Sequence, residues 1–369
     1  MISIKGADIS TLIEVEANGG KFYDQGILQD PLVILQHYGF NYVRLRLWND
    51  PYAADGRPYS AGTNDLNMTL KLAKRAKDLG LSILLDLHYS DFWADPGKQN
   101  IPKAWAEGAS VESLKKHVFD YTKMVMHAMK EAGTEPDMVQ VGNELSNGLL
   151  WPFGKMPNYD NIAAFVNAGI DGVRAENAEI PIMIHLDNGG KNELYRDWFD
   201  HYMDRRDGRD FQIIGLSYYP FWHGSLNQLK QNMDDIAQRY GKDLAVAEVS
   251  MGFTMEDYAA YEQLSADQRK GYATKPELIE KIEHPMTVEG QCRFMEDFAK
   301  VLREVPDNRG LGFFYWEPCW LPVPNVGWAS EAALEYTKEA GPGGNEWANQ
   351  ALFDYDGNAL PTLEVIRRL

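Results

Sequence analysis

Residues 42–88 read YVRLRLWNDPYAADGRPYSAGTNDLNMTLKLAKRAKDLGLSILLDLH, and this stretch decides the fold. It opens on a short apolar run, Tyr42–Leu47, followed by the irregular segment Asn49–Asn64. A helical pattern comes next over Leu66–Leu79, where Leu66, Leu70, Ala73 and Lys77 recur at helical spacing. Gly80 reads as the residue just beyond the last turn, where glycine relieves a left-handed backbone. A second apolar run, Ser82–His88, closes the unit. Strand, helix and strand in that order mark a parallel βα architecture.

The same alternation extends in both directions. Further strands are expected at Ile4–Ile9, Met138–Gly142, Ile182–Leu186, Ile213–Tyr218, Leu244–Glu248 and Gly312–Trp316. With the two above they make eight, separated by amphipathic stretches such as Val111–Ala132. No linker, low-complexity tract or charge block interrupts them. The expected fold is therefore a (β/α)8 TIM barrel, with residues 1–369 forming one catalytic domain. The longest irregular regions are Asn49–Asn64, Tyr89–Trp105, Met251–Pro285 and Glu317–Trp347, and each follows a strand. Loops after the strands build the active-site face of a barrel, so an extended groove is expected there. Residues 349–369 read as a turn at Asp356–Gly357 and a closing helix.

Composition narrows the partners. A net charge of −18 repels nucleic-acid phosphates and anionic membrane surfaces, and favours a neutral substrate over an acidic one. The chain has 10 Trp and 19 Tyr; core packing absorbs most of them, and a share placed in loops suits stacking on sugar rings. Cys292 and Cys319 are expected to be free thiols, since their spacing fits neither a zinc site nor a disulfide framework. No apolar run is long enough to span a bilayer. Met1 leads straight into strand-like sequence, so no signal peptide is expected, which fits a cytoplasmic protein or the mature form of a secreted one.

Polar residues at the C-terminal ends of barrel strands carry the functional information. Side chains alternate faces along a strand, so Arg44 pairs with Arg46 on one face, and Asp86 with His88. Strand four ends in Gly142-Asn143-Glu144, strand six in Ser217-Tyr218-Tyr219, strand seven in Glu248, and strand eight in Tyr315-Trp316-Glu317. Glu144 and Glu248 fit glycoside hydrolysis, which needs a protonated carboxylic acid for the leaving oxygen and a carboxylate opposite it. Carboxyls roughly 5–5.5 Å apart make a retaining pair, and a gap of ~6.5–9.5 Å an inverting one. Mutual repulsion raises one pKa, while an adjacent arginine keeps the other carboxylate ionised.

Plainer readings stand beside these. A strand-end glutamate is often only a salt-bridge partner. Arg44 and Arg46 fit ordinary ion pairs with Asp86, His88 fits a satisfied core histidine, and Trp316 fits packing. Glu317 competes with Glu248, but regular pairing puts it on the strand face opposite Trp316, whereas Glu248 is expected to point inward without a bulge.

Val43-Arg-Leu-Arg-Leu-Trp-Asn-Asp-Pro51, Leu85-Asp-Leu-His-Tyr-Ser-Asp-Phe-Trp-Ala-Asp-Pro96, Val139-Gln-Val-Gly-Asn-Glu144 and Phe314-Tyr-Trp-Glu-Pro318 together resemble glycoside hydrolase family 53, the endo-β-1,4-galactanases. The resemblance runs from Lys5–Asp8 to Leu352–Asp354. It implies cleavage of β-1,4-galactan with retention, Glu144 as acid/base and Glu248 as nucleophile. It further implies that Asn143 binds the sugar 2-hydroxyl, and that Arg44, Arg46, His88, Tyr218 and Trp316 form the floor around the nucleophile. The chain departs from the family after strand seven, where Glu248 is followed by Val249, Ser250 and Met251 rather than threonine and an aromatic. Some bacterial members carry a calcium site in the next loop. Here Met255–Lys281 has no Asp-x-Asp-x-Gly run, so that site is expected to be missing.

Trp93, Trp151, Trp222 and Trp320 are candidate stacking platforms, and Asp187 and Asn188 candidate hydroxyl binders. No cofactor or metal is expected: a metal-dependent hydrolase needs clustered His and carboxylate ligands, yet only His88 and His185 sit in expected strands. The expected partner is a polysaccharide, β-1,4-galactan and its oligomers, with no nucleic acid and no membrane. Two other readings remain at this point: the same reaction on another β-linked glycan such as mannan or glucan, and a glycan-binding barrel without catalysis.

Overall fold

The computed structural model describes residues 2–205, 207–263, 274–340 and 343–369. Eight parallel strands close into a barrel: β1 (Ile4–Asp8), β2 (Tyr42–Leu47), β3 (Ser82–Leu87), β4 (Met138–Val141), β5 (Ile182–Leu186), β6 (Ile213–Tyr218), β7 (Asp243–Val249) and β8 (Gly310–Trp316). Neighbours pair in chain order, and β1 closes the ring by pairing with both β8 and β2. A helix follows each strand: α1 (Pro31–His37), α2 (Leu66–Asp78), α3 (Val111–Glu131), α4 (Tyr159–Glu176), α5 (Asn192–Met203), α6 (Leu226–Tyr240), α7 (Val288–Arg303) and α8 (Thr362–Arg368). This is the (β/α)8 TIM barrel that the alternating pattern led us to expect.

Local sequence sets the helix ends. Asp30, Asp65, Ser110, Asn158, Ser225 and Thr287 each accept a backbone N–H in the first turn of the helix they precede. Gly80 adopts φ +74° beyond α2, as its position implies. The expected strands at β2, β5 and β6 match residue for residue, and the others differ by one or two residues at an end. A hairpin at Phe22–Asp24 and Ile27–Gln29 escaped the sequence reading, because three-residue strands leave no periodic signal.

Two apolar layers hold the barrel. Val43, Leu45, Val139, Val141, Leu244, Val246 and Phe313 face outward into the large core shared with the helices. Ile4, Leu84, Met138, Met183, Ile213, Ala245, Ala247 and Phe314 fill the lower interior. Above that plug the inward positions turn polar, and this sets the height of the site. Closure itself depends on Gly312: its φ is +151°, and a Cβ there would lie 1.9 Å from the Ile4 carbonyl oxygen.

Candidate active site

Strand alternation brings Asp8, Arg44, Arg46, Asp86, Gln140, His185 and Ser217 onto the inner face above the apolar plug, all buried. Alternation alone does not place the two glutamates. Just beyond β4, Gly142 adopts φ +78°, and Glu144 itself sits in the left-handed region at φ +49°, so Asn143 and Glu144 both reach the mouth. Such conformations are costly for residues with side chains and concentrate at functional sites. Tyr89, Asn188 and Glu317, at the ends of three other strands, are also left-handed.

Glu248 reaches the mouth by another route, which corrects an expectation. Leu244 and Val246 face the helices, so an unbroken β7 would send Glu248 outward with them. The register slips instead: Leu216 pairs with Val246, and Ser217 pairs with Glu248, which leaves Ala247 as the extra residue of a bulge. Ala247 and Glu248 then both point inward. The bulge is what aims the second carboxylate.

The two glutamates meet. One carboxylate oxygen of each, and one ring nitrogen of His185, lie within 4.8 Å of one another. Their surroundings differ sharply. Glu248 Oε1 is 3.0 Å from Arg44 Nη1, and Glu248 Oε2 accepts the Tyr219 hydroxyl at 2.8 Å. Burial raises the Glu248 pKa, while Arg44 and Tyr219 pull against it. Among the described residues, Glu144 has no cation beside it. Burial, then the charges of Glu248 and Asp187, push its pKa well above the usual carboxylate range. Its Oε1 lies 2.6 Å from Ser217 Oγ.

Arg44 anchors the floor. Its guanidinium contacts Asp8 at 3.0 Å, Asp86 at 2.8 Å and Glu248 at 3.0 Å, and donates to Gln140 at 3.1 Å and Asn143 at 2.8 Å. Burial alone would lower the Arg44 pKa, but Asp86, Glu248 and Asp8 carry it above its ordinary value. Arg46 lies one layer up, donating to Glu317 at 2.7 Å and lying 4.3 Å from the Trp93 ring centre. His88 accepts from Trp48 at Nδ1 and faces Asp86 at Nε2, 2.9 Å away. The arginines thus belong to a buried ion-pair network to which His88 is hydrogen-bonded, and all three line the cavity wall. Glu317 is buried against Arg46 and Thr11, outside that wall.

A cavity of about 470 Å³ opens above this floor. Among the expected residues, Arg44, Arg46, His88, Trp93, Asn143, Asp187, Asn188, Trp222, Trp316 and Trp320 line it with the two glutamates, and Asp86 sits directly beneath. Trp222 is 38% exposed, an open platform on the rim. Asn188 donates its amide to Asp187, whose Oδ1 is buried with no hydrogen-bond partner among the described residues.

Three expectations are corrected. Tyr218 points outward, because Ser217 takes the inward position; its ring stacks parallel to Phe294 and Phe298 of α7, and its hydroxyl donates to the Gly224 carbonyl. Tyr219 supplies the aromatic hydroxyl instead. Trp151 lies outside the cavity wall, with its indole N–H donated to Asn147 and the Lys155 ammonium 4.2 Å above its ring. Trp320 reaches the wall but is 0% exposed; it packs 5.7 Å from Trp316 and backs that ring.

The sequence reading also missed Trp328, Trp347, His223, Asp95 and Lys98 in the wall. Trp328 and Trp347 were within reach, since both fall in the irregular segment after β8. Glu144, His185 and Glu248 are the one group of potential metal ligands that converges among the described residues. Both His185 nitrogens face protein partners, Asn143 and Ser217. The calcium expectation for Met255–Lys281 falls in part on residues 264–273, which lie outside the described residues. Cys292 and Cys319 are free thiols.

A closed βα barrel with paired carboxyls at its C-terminal mouth defines a class, the barrel enzymes that cleave glycosidic bonds. Comparison with known proteins makes the assignment specific. The family model described as glycosyl hydrolase family 53 matches residues 4–366. An endo-beta-1,4-galactanase of Bacillus subtilis (strain 168) is 37% identical over 99% of this chain and 85% of its own length. An arabinogalactan endo-beta-1,4-galactanase of Humicola insolens is 31% identical over 100% of both chains. The solved Ignisphaera aggregans GH53 catalytic domain superposes with a TM-score of 0.89 at 38% identity, over 99% of this chain and 96% of that one. The chain belongs to glycosyl hydrolase family 53 and is a glycoside hydrolase.

Proposed function

We propose that this chain is an endo-acting β-1,4-galactanase that works with retention, the whole chain acting as one catalytic domain. Glu144 protonates the glycosidic oxygen while Glu248 attacks the anomeric carbon, forming a galactosyl-enzyme ester. Glu144 then takes a proton from water, which hydrolyses the ester. The observation that carries this reading is the asymmetry of the pair. Two carboxyl oxygens lie within 4.8 Å, which suits a retaining pair, and among the described residues only Glu248 of the two has a guanidinium beside it.

The substrate assignment rests on the galactanases this chain is similar to. Polysaccharide binding also suits a cavity walled by Trp93, Trp222, Trp316, Trp328 and Trp347. Asp187, whose Oδ1 has no hydrogen-bond partner among the described residues, and Asn188 beside it are proposed to take sugar hydroxyls. Asn143 is proposed to bind the 2-hydroxyl with the amide hydrogen left after its bond to the Ala94 carbonyl at 2.8 Å. Reducing-sugar release by the wild type, Glu144→Gln and Glu248→Gln on galactan, mannan and β-glucan tests the proposal. Release from galactan by the wild type alone is the expected result. Preference for another glycan removes the substrate, and near-full activity of either variant removes the mechanism.

A further inference from the structure

We infer that His185, acting through Ser217, is a positioning residue that holds Glu144 in its protonated form. The inference rests on Glu144 being the acid/base, and it follows from counting hydrogens along one buried chain. The count starts at Asn143. Its amide nitrogen faces the Ala94 carbonyl at 2.8 Å, which can only accept, and its Oδ1 faces Arg44 Nη2 at 2.8 Å, which can only donate. The orientation of the Asn143 amide is therefore fixed.

His185 Nδ1 lies 2.9 Å from that same Oδ1. Two lone pairs at this distance would repel, so Nδ1 carries the hydrogen. Gln140 Nε2 also lies 3.1 Å from Nδ1, but its two hydrogens have closer acceptors in Asp86 Oδ1 at 2.7 Å, the Gly142 carbonyl at 3.0 Å and Asn143 Oδ1 at 3.0 Å. Burial, then the Arg44 charge, hold the His185 pKa well below its usual value, so the ring is neutral. A neutral ring with Nδ1–H has a bare Nε2.

Ser217 Oγ lies 2.9 Å from that bare Nε2 and has one hydrogen, which it donates there. Toward Glu144 Oε1, 2.6 Å away, Ser217 then offers only a lone pair. That contact is a hydrogen bond only if the Glu144 carboxylic acid donates it. The chain from Arg44 through Asn143, His185 and Ser217 is thus complete when Glu144 is protonated, and one bond short when it is ionised. Arg44 consequently acts in opposite senses on the two glutamates. Directly, it favours the Glu248 anion; through the chain, it favours the neutral Glu144 acid, whose proton is held until a glycosidic oxygen competes for it.

The sign of a pH shift tests this. The charged groups facing Glu144 from other elements are Glu248 on β7, Asp187 beyond β5 and Asp95 beyond β3, and Ser217→Ala alters none of them. The alkaline limb of kcat/KM reports the acid in the free enzyme. Loss of a bond to the protonated form moves that limb in Ser217→Ala to lower pH, by about 0.5–1 unit for one ordinary hydrogen bond. An unmoved limb, or one moved to higher pH, overturns the inference, since the latter means that Ser217 donates to the carboxylate.

A second reading needs no variant and no activity. Nitrogen-15 NMR of the histidine-labelled wild type is expected to show His185 with Nδ1 protonated and Nε2 bare; the reverse tautomer overturns the inference. Should Glu144→Gln still cleave galactan, the role of Glu144 falls while the tautomer result stands, so the two failures are distinguishable.

Discussion

Arg44 Nη1 lies 3.0 Å from Glu248 Oε1, while Glu144 has, among the described residues, no cation at such a distance. This one contact separates two buried carboxyls that share a cavity. It predicts the effect of Arg44→Lys. Lysine keeps the charge but cannot contact Asp8, Asp86, Glu248, Gln140 and Asn143 together, because its ammonium lacks the planar fork. The loss of one strong charge-assisted bond corresponds to a fall in kcat of about ten- to a hundredfold. Weaker support for the Glu248 anion raises its pKa, so the acid limb of the pH–rate profile moves to higher pH. A variant with a normal acid limb would show that Arg44 does not govern Glu248.

Adjacent tyrosines make a paired test. Tyr219 donates to Glu248 Oε2 at 2.8 Å, and Tyr218 donates to a backbone carbonyl on the outer face. Tyr219→Phe is expected to lower kcat/KM by about ten- to a hundredfold, the range for a hydrogen bond to a charged group. Tyr218→Phe leaves kcat/KM within about twofold and costs about 1 kcal/mol of stability, as for one neutral hydrogen bond. Steady-state kinetics and thermal melts of both proteins decide; equal kinetic losses would contradict the placement of the two rings.

The same pair shows what the sequence could and could not tell. The barrel was legible because strand and helix periods alternate cleanly from Ile4 to Arg368. Arg44, Arg46, Asp86 and His88 were legible because β2 and β3 run without a break, so alternate residues share a face. Strand six is equally regular up to Ser217, and its own parity points Tyr218 outward, a step the family resemblance overrode. Glu248 reaches the mouth, but not by the unbroken alternation expected of it, since a bulge at Ala247 turns it inward. Bulges and left-handed strand ends such as Glu144 leave no periodic trace. His185 and Ser217 were missed as partners of the acid because their link runs across the barrel, between strands that no local pattern connects.

Tryptophans divide by exposure. Trp222 is 38% exposed at the rim, and Trp320 is 0% exposed behind Trp316. Trp222→Ala is expected to raise KM on galactan several-fold, with little change in melting temperature. Trp320→Ala removes a fully buried ring, which typically costs about 3–5 kcal/mol, and is seen first as a lowered melting temperature. A Trp222 variant that melts early with unchanged KM would mean that its ring packs rather than binds.

The central claim, a carboxylate nucleophile at 248 beside an acid at 144, is tested most directly by trapping the ester. Wild-type protein is incubated with an activated 2-deoxy-2-fluoro-β-galactoside, digested, and sequenced by tandem mass spectrometry. The account predicts one added fluorogalactosyl group, on Glu248. Attachment to any other residue, Glu317 included, or turnover with no ester at all, would contradict it.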